Sequence, residues 1–304
     1  MTKAMTAALQ AMASPVDFGR KFIPERLTPL YFTTVYGRLA PGHRLRYNQL
    51  QALYFNEQII FFETMIGRGV MQALERHAWP DDFGDQVRRF AADEVRHTRM
   101  FGRLNRRCAP QYYAAGDFHF IRAPRAWLAA LRWATNHARI FTLFLWLMLL
   151  QEERSLYYSR EFIRHGGDLE PHFVACHRAH LADEVRHVRW DEELLERLWR
   201  PSGRLSRTMN ARLFAWLTGE FFSTPKRGQL GVVDELVREF PELAGLAPEL
   251  RRQLARLPHD EAYQRSLYSR DIVPECFARF DQWPELRVME RAISGYRFGA
   301  EATR

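Results

Sequence analysis

A carboxylate and an imidazole recur three residues apart in two identical words of this chain. The word Ala-Asp-Glu-Val-Arg-His occupies residues 92–97 and returns at residues 182–187, an offset of 90 residues. Because residues three apart share one face of a helix, each word presents its Glu and its His to the same region of space. Two such helices facing each other supply four ligands of a carboxylate-bridged dimetal site. The four candidate ligands are Glu94, His97, Glu184 and His187.

The same offset relates a second pair of glutamates. Glu63 and Glu153 each lie 31 residues before the glutamate of a word. A ferritin-like dimetal site takes one carboxylate from each of two partner helices. Both glutamates lie among apolar residues at helical spacing, where an unpaired carboxylate is costly to bury. We therefore predict that Glu63 and Glu153 are ligands. Glu57 and Glu152 are the alternatives, and neither has a glutamate at the 90-residue offset.

One histidine breaks the symmetry of the repeat. His180 lies four residues before Glu184 and seven before His187, so it shares their helix face, and the corresponding position of the first half is Phe90. We predict that His180 is a seventh ligand on one metal ion only, which would make the two ions inequivalent. A hydrogen-bonded core histidine is the alternative interpretation, and His177 is a weaker candidate for the same role.

The aspartates that precede the ligand glutamates are candidates for a supporting role. Asp93 and Asp183 stand four residues before the histidine of each word. They could accept the free imidazole N–H and fix the tautomer, although a solvated or helix-dipole role is the alternative. Oxygen-rich ligation with one imidazole per metal favours iron or manganese over zinc. The sequence thus predicts two carboxylate-bridged metal ions with open positions for dioxygen.

Four long helices must position these residues. Apolar residues recur at helical spacing and Pro, Gly or Asp mark the breaks, while no strand-like alternation of useful length occurs. We predict an all-α, ferritin-like four-helix bundle in a single domain 1–304, with a core bundle at about 46–200. Additional N-terminal helical pieces and accessory helices at about 204–296 surround it. The predicted core helices span about 46–77, 83–107, 125–164 with one interruption, and 170–199.

Composition narrows the partners. The net charge of +8 comes almost wholly from arginine, yet no basic block is long enough for a nucleic-acid tail, and we predict no nucleic-acid partner. The charge fits either a solvated surface or a docking patch for an acidic electron-transfer partner. The most apolar stretch, Ile140–Leu150, is too short to span a bilayer, so we predict a buried helix and no membrane association.

Cysteine usage bears on the compartment. Cys108, Cys176 and Cys276 are far apart and form no C-x-x-C pair, which argues against a disulfide framework, a zinc ribbon or a cysteine-ligated cluster. The N-terminus lacks the apolar run of a signal peptide. A reducing, cytoplasmic location is predicted.

With these seven ligands in hand, the chain resembles the p-aminobenzoate N-oxygenase family of non-haem di-iron oxygenases. The distinguishing motif is His-x-x-x-Glu-x-x-His at residues 180–187, and the resemblance covers about residues 45–295, including Leu267–Pro274. It implies two carboxylate-bridged iron ions that activate the co-substrate O2 as a peroxo species. It also implies oxidation of an amine, typically an arylamine, to a hydroxylamine, nitroso or nitro product.

Electrons would have to come from outside, because the chain carries no flavin, nicotinamide or iron–sulfur motif. We therefore expect an external donor of the ferredoxin or reductase type beside a small-molecule substrate. The oligomeric state is open, a homodimer included. Aromatic residues that could line an aryl pocket are Phe61, Phe62, Trp146 and Tyr157.

Three other functions use a similar ligand set. A di-iron oxygenase acting on carbon, by hydroxylation, desaturation or oxidative cleavage, would differ only in the shape of its pocket. Ferritin-like iron or peroxide handling is disfavoured by the long C-terminal extension and by His180. A radical-generating subunit, like the small subunit of ribonucleotide reductase, would need a tyrosine close to the metals, for which Tyr54 and Tyr157 lie on suitable helices.

Overall fold

The computed structural model describes residues 14–79, 81–222 and 227–299. The fold is all-α, as predicted, and the only β pairing in these ranges is an isolated bridge between Lys21 and Leu169. The longer helices are α1 Pro41–Phe62, α2 Arg68–Glu75, α3 Phe83–Cys108, α4 Arg125–Thr135, α5 Leu143–Arg164, α6 Pro171–Leu194, α7 Arg204–Phe221, α8 Arg227–Glu239, α9 Ala247–Arg256, α10 Glu261–Leu267 and α11 Pro274–Phe280. A π-helical turn, Glu63–Gly67, joins α1 to α2, and another, Leu195–Trp199, extends α6.

Two helical hairpins form the ferritin-like bundle. The first hairpin runs from α1 through the π-helical turn and α2 into α3, and the second hairpin is α5 with α6. Helices α3 and α6 face each other, since side chains of the two words meet between them. Residues 143–150 of α5 are all buried, which confirms the buried helix predicted from the apolar stretch, although Ile140 before it is exposed.

Local capping explains where the bundle helices begin. Asp81 Oδ1 accepts the N–H of Phe83 at the start of α3. Glu170 accepts the N–H groups of His172 and Phe173 at the start of α6, where Pro171 occupies the first turn. Such caps satisfy N–H groups that have no partner inside the helix, and proline suits that position because it lacks the N–H.

The flanking segments pack onto the bundle. Residues 25–38 form three short 3-10 turns, so the predicted N-terminal helical pieces are present from Glu25 onward. Residues 1–13 lie outside the described ranges, and so do residues 223–226 between two of the predicted accessory helices. In the C-terminal part, α11 packs on α5 through the Glu153 carboxylate, which accepts the N–H groups of Glu275 and Cys276. No helix in the described ranges is both long and apolar enough to cross a membrane.

Candidate metal centre

The two words meet in the interior of the bundle. His187 Nδ1 lies 3.4 Å from Glu94 Oε1 and 3.5 Å from Glu184 Oε2, and His97 Nδ1 lies 3.4 Å from Glu184 Oε1. All four side chains are buried, with at most 2% of their surface exposed. The structure therefore brings the four word residues to one place, as the repeat predicts.

Glu63 and His180 join this cluster. His180 Nε2 lies 3.2 Å from Glu63 Oε1 and 2.7 Å from Glu184 Oε1, and His97 Nδ1 lies 3.7 Å from Glu63 Oε1. The ligand atoms fall into two overlapping sets that share His97 and Glu184, and in each set they lie within 4.8 Å of one another. Two adjoining sets with shared members are the arrangement that a carboxylate-bridged dimetal site requires. The sets are Glu63, His97, His180, Glu184 and Glu94, His97, Glu184, His187.

Glu153, predicted as the partner of Glu63, does not reach the cluster. Its Oε1 accepts the N–H of Glu275 at 2.8 Å and its Oε2 accepts the N–H of Cys276 at 2.9 Å. The carboxylate thus satisfies the first turn of α11, where backbone N–H groups lack partners within the helix. Burial raises the pKa of Glu153 to about 7 in spite of these two hydrogen bonds. The structure therefore does not bring Glu153 into the cluster, and its carboxylate caps α11 instead.

Glu152, the alternative to Glu153, lies at the edge of the cluster. Its Oε2 lies 4.0 Å from His187 Nδ1. Ser155 and Ser159 contact His180 and His177 of α6, so their face of α5 points toward the centre. Glu152 precedes these serines by three and seven residues and shares that face. Glu153 is rotated from it by about 100°.

The position of Glu153 outside the cluster has a physical reason in the hairpin geometry. The 90-residue offset holds for the two words, but it does not hold for the helix starts, which are Phe83 for α3 and Pro171 for α6. The first hairpin also contains the π-helical turn Glu63–Gly67, whereas α5 is regular. Equal sequence separation therefore does not give equal rotation around the partner helix. The serine contacts across α5 and α6, which only the fold reveals, identify the inward face.

The polar atoms of the cluster fit a metal. Both carboxylate oxygens of Glu94 and Glu184 and the Nδ1 atoms of His97 and His187 are buried and make no hydrogen bond to any described residue. Buried polar atoms without partners are rare, because each one loses its hydration without compensation. Carboxylate oxygens and imidazole nitrogens that converge without pairing are the donor set of an iron or manganese site.

Charge repulsion within the cluster points the same way. Burial, together with the charges of Glu94 and Glu184, raises the pKa of Glu63 well above its ordinary value. Burial also raises the pKa of Glu94 to about 8, and burial and the neighbouring imidazoles lower the pKa of His180 well below its usual range. The buried site therefore disfavours ionised carboxylates, and bound cations would compensate their charge.

The two aspartates act across the hairpins. Asp183 Oδ2 accepts a hydrogen bond from His97 Nε2 at 3.2 Å, and Asp93 Oδ2 accepts one from His187 Nε2 at 3.4 Å. We expected each aspartate to face an imidazole N–H, and the structure pairs each with the histidine of the other word. Both rings thereby turn Nδ1 inward. Arg186 lies 2.6 Å from Asp183 and 3.2 Å from Asp93, and Arg96 contacts the same two carboxylates.

Two alternatives from the sequence have other roles. Glu57 accepts the N–H groups of residues 119–121 and the hydroxyl of Tyr113, so it anchors a connecting loop. His177 forms a hydrogen bond with Ser159 and stacks on Phe162, with ring centroids 3.6 Å apart. Burial lowers the pKa of His177 to about 3, which keeps it neutral inside an aromatic environment. His180, one helical turn after His177, contacts the carboxylate cluster instead.

A cavity of about 510 Å³ reaches the cluster from the side of α1 and α5. Glu63, Glu152 and His180 form part of its wall. Of the predicted pocket aromatics, Phe61 and Phe62 line this cavity; Trp146 packs instead against Trp199 and Phe280, and Tyr157 is not part of the wall. The remaining aromatic lining comprises Tyr54, Phe55, Phe120, Trp127, Tyr158, Phe221, Phe222 and Tyr263.

The π-helical turn brings the first hairpin close to the centre. A Cβ atom on Gly67 would lie 2.9 Å from Glu94 Oε2, so glycine permits the close approach of this turn to the carboxylate. Thr98 Oγ1 donates to Glu63 Oε2 at 3.1 Å and orients it. π-helical turns inside α-helices occur frequently at functional sites.

Comparison with known proteins agrees with this geometry. No curated protein matches the chain. The model of the P-aminobenzoate N-oxygenase AurF family matches residues 11–238, which is well over half of the chain and includes every residue of the cluster. The chain therefore belongs to the p-aminobenzoate N-oxygenase family, a family of oxygenases.

Proposed function

We propose that this protein is a non-haem di-iron oxygenase that oxidises the nitrogen of an amine, most readily an arylamine, to a hydroxylamine, nitroso or nitro product. The observation that carries the proposal is the aromatic cavity of about 510 Å³ whose wall includes Glu63, Glu152 and His180. A planar aromatic substrate would stack within it while its amino group points to the metal side. When bound, the iron pair would supply the activation of dioxygen.

The chain would hold the two ions with residues from both hairpins. Glu94 and Glu184 are suited to bridging, because each lies between the two inward-facing imidazoles of the words. Glu63 with His180 would complete one side of the centre, and Glu152, near His187, the other. Asp93 and Asp183 would hold the imidazoles in the tautomer that leaves Nδ1 free for metal. The aromatic lining would exclude water from the amine.

A partly buried cation suggests how the far end of the substrate is bound. Arg154 lines the cavity, hydrogen-bonds the hydroxyl of Tyr268 at 2.9 Å, and lies over the rings of Tyr158 and Tyr268. Among the described residues, no carboxylate lies within ion-pair distance of it. Arginine favours bidentate pairing with carboxylates. We infer that Arg154 pairs with an acidic group of the arylamine, as 4-aminobenzoate carries.

The surroundings fit a reduced protein with an external reductant. The three cysteines are buried free thiols, which suits a reducing cytoplasm. None of the three cysteines belongs to either set of candidate metal ligands. We propose that electrons reach the iron from a separate ferredoxin- or reductase-type protein.

The central test loads the metal-free protein anaerobically with Fe(II) and exposes it to ¹⁸O₂ with an arylamine panel and dithionite as reductant. Mass spectrometry should find ¹⁸O on nitrogen, and protein loaded with zinc serves as the control. Ring or side-chain hydroxylation would instead assign the protein to carbon oxidation. Iron oxidation without any oxygenated product would assign it to ferritin-like metal handling.

The role of Arg154 has its own test. Arg154→Leu should weaken 4-aminobenzoate binding by about 10- to 100-fold, since a charge-assisted hydrogen bond contributes about 1.5–3 kcal/mol, while aniline binding stays the same. Arg160→Leu, on the exposed side of the same helix, is the matched control. An equal loss for aniline would show that Arg154 supports the cavity wall and does not select the substrate.

A further inference from the structure

The outer surface of α3 and α6 covers the metal centre directly. The two helices are antiparallel, because Asp93 of α3 meets His187 of α6 and His97 meets the earlier Asp183. In residues 88–107 and 178–189, every charged side chain that reaches the surface is an arginine, and every carboxylate is buried. We call this surface the arginine face.

Half of the ten arginines in these two segments have no partner among the described residues. Five exposed ones make neither an ion pair nor a hydrogen bond with any described residue, whereas exposed arginines such as Arg88, Arg164 and Arg200 pair with a carboxylate one turn away. An unpaired cation on a surface is available to an external anion, and an arginine fork pairs well with carboxylates. The five are Arg89, Arg99, Arg103, Arg178 and Arg189.

The repeat extends to this surface. Arg96 and Arg186 are related by the same 90-residue offset as the ligands, and so are Arg99 and Arg189. Between them, Ala92, Ala182 and Val185 are exposed, with Val185 43% accessible. The face thus has a small apolar centre within a basic rim, the form that a specific but transient protein contact takes.

A hydrogen-bonded route connects the arginine face to the histidines of the candidate metal centre. Arg186 contacts both Asp93 and Asp183, and each aspartate holds the outer nitrogen of one word histidine. The opposite side of the centre is taken up by the aromatic cavity. A redox partner on the arginine face would therefore approach the metals without obstructing the substrate.

We propose that the arginine face docks an acidic iron–sulfur protein of the ferredoxin type that reduces the metal centre. This inference rests on the proposed function. Each reduced ferredoxin loses one electron as its cluster is oxidised, and two successive dockings reduce two ferric ions to ferrous ions. Electrostatic steering between an acidic donor and this face accelerates encounter and weakens as salt is added.

Binding measurements test the docking surface directly. The iron-loaded protein is titrated with a purified acidic [2Fe–2S] ferredoxin by calorimetry, at low and at high ionic strength. Arg99→Glu/Arg189→Glu should weaken binding at least about tenfold at low ionic strength. Arg212→Glu/Arg256→Glu changes the net charge equally, at exposed positions outside the face, and should leave binding within about twofold of wild type.

Several results would overturn the proposal. These are a wild-type protein that does not bind the ferredoxin at low ionic strength, equal weakening by the two double variants, or an altered oligomeric state of the Arg99/Arg189 variant in light scattering. Face-dependent binding to phosphatidylserine vesicles or duplex DNA that exceeds ferredoxin binding would assign the face to another partner. With dithionite as reductant, the face variant should still oxidise the arylamine. If the wild type fails in that assay, the proposed function is wrong irrespective of docking.

Discussion

The two hairpins carry the same word but hold the metal centre in different ways. In the first hairpin, Glu63 starts a π-helical turn, and Phe90 stacks on His187 with ring centroids 4.0 Å apart. In the second hairpin, α5 is regular and presents Glu152, and the position that matches Phe90 is His180. One half therefore surrounds an imidazole with an aromatic ring where the other half adds a further imidazole.

This difference shows that the two halves have equivalent residues in equivalent roles only where they contact each other. Helices α3 and α6 exchange hydrogen bonds across the centre, Asp93 to His187 and Asp183 to His97, so their equivalent positions are constrained together. Helices α1 and α5 instead contact different accessory segments, and their carboxylates follow those contacts. Glu57 anchors one loop and Glu153 caps α11, while Glu63 and Glu152 face the histidines of the cluster.

The largest effect should separate Glu152 from Glu153. Glu152→Ala should leave about one iron per chain and lower arylamine oxidation by about 100-fold or more, because one ion loses a carboxylate. Glu153→Ala should keep both irons and lower the free energy of unfolding by ~1–3 kcal/mol, because two buried N–H groups lose their acceptor. Elemental analysis and denaturant unfolding distinguish the two. Loss of iron in Glu153→Ala, with both irons kept in Glu152→Ala, would instead identify Glu153 as the ligand that the 90-residue offset predicts.

Making the halves alike should have the next largest effect. His180→Phe gives the second hairpin the residue of the first and should weaken one of the two Fe(II) affinities by about 100-fold while the other stays. Competition with a chelator measures both affinities, and His177→Gln is the control from the same helix. Two unchanged affinities would show that His180 is a core residue and no ligand.

The aspartates should have a smaller effect with a crossed pattern. Asp93→Asn should lower by about tenfold the affinity for the iron ion held by His187, although His187 lies in the other hairpin. Asp183→Asn should act in the same way on the ion held by His97. Spectroscopy on protein with one ion per chain can identify which site is emptied. If each variant disturbs its own hairpin instead, the crossed hydrogen bonds are wrong.

The smallest effect concerns a pH dependence confined to the second hairpin. Burial lowers the pKa of His177 to about 3, and the matching position of the first hairpin is Val87. Below about pH 6.5 the unfolded chain binds a proton there that the folded chain does not. Between pH 7 and pH 5, His177 should thus reduce the free energy of unfolding by ~2 kcal/mol. In denaturant unfolding of the metal-free proteins, the free energy of unfolding of wild type should fall by this amount more than that of His177→Gln between pH 7 and pH 5. Parallel pH profiles of the two proteins would contradict this prediction.

Much of the fold was predictable because its signals are local. Helical spacing of apolar residues, the glycine and proline breaks and the absence of strand alternation indicate an all-α bundle with one interruption before α5, and the structure has that interruption at residues 136–142. The boundaries at Phe83 and Pro171 agree within a residue or two. The π-helical turn Glu63–Gly67 was not predictable, since a widened turn depends on what packs around it.

The sequence by itself determined the metal-binding words, because residues three and four apart share a helix face wherever the helix lies. It also determined the asymmetry of His180 for the same reason. Only the tertiary structure decided between Glu152 and Glu153, because adjacent residues differ by about 100° around the helix and packing alone fixes which one turns inward. The crossed aspartates and the arginine face likewise depend on how α3 and α6 are aligned, which no local pattern encodes.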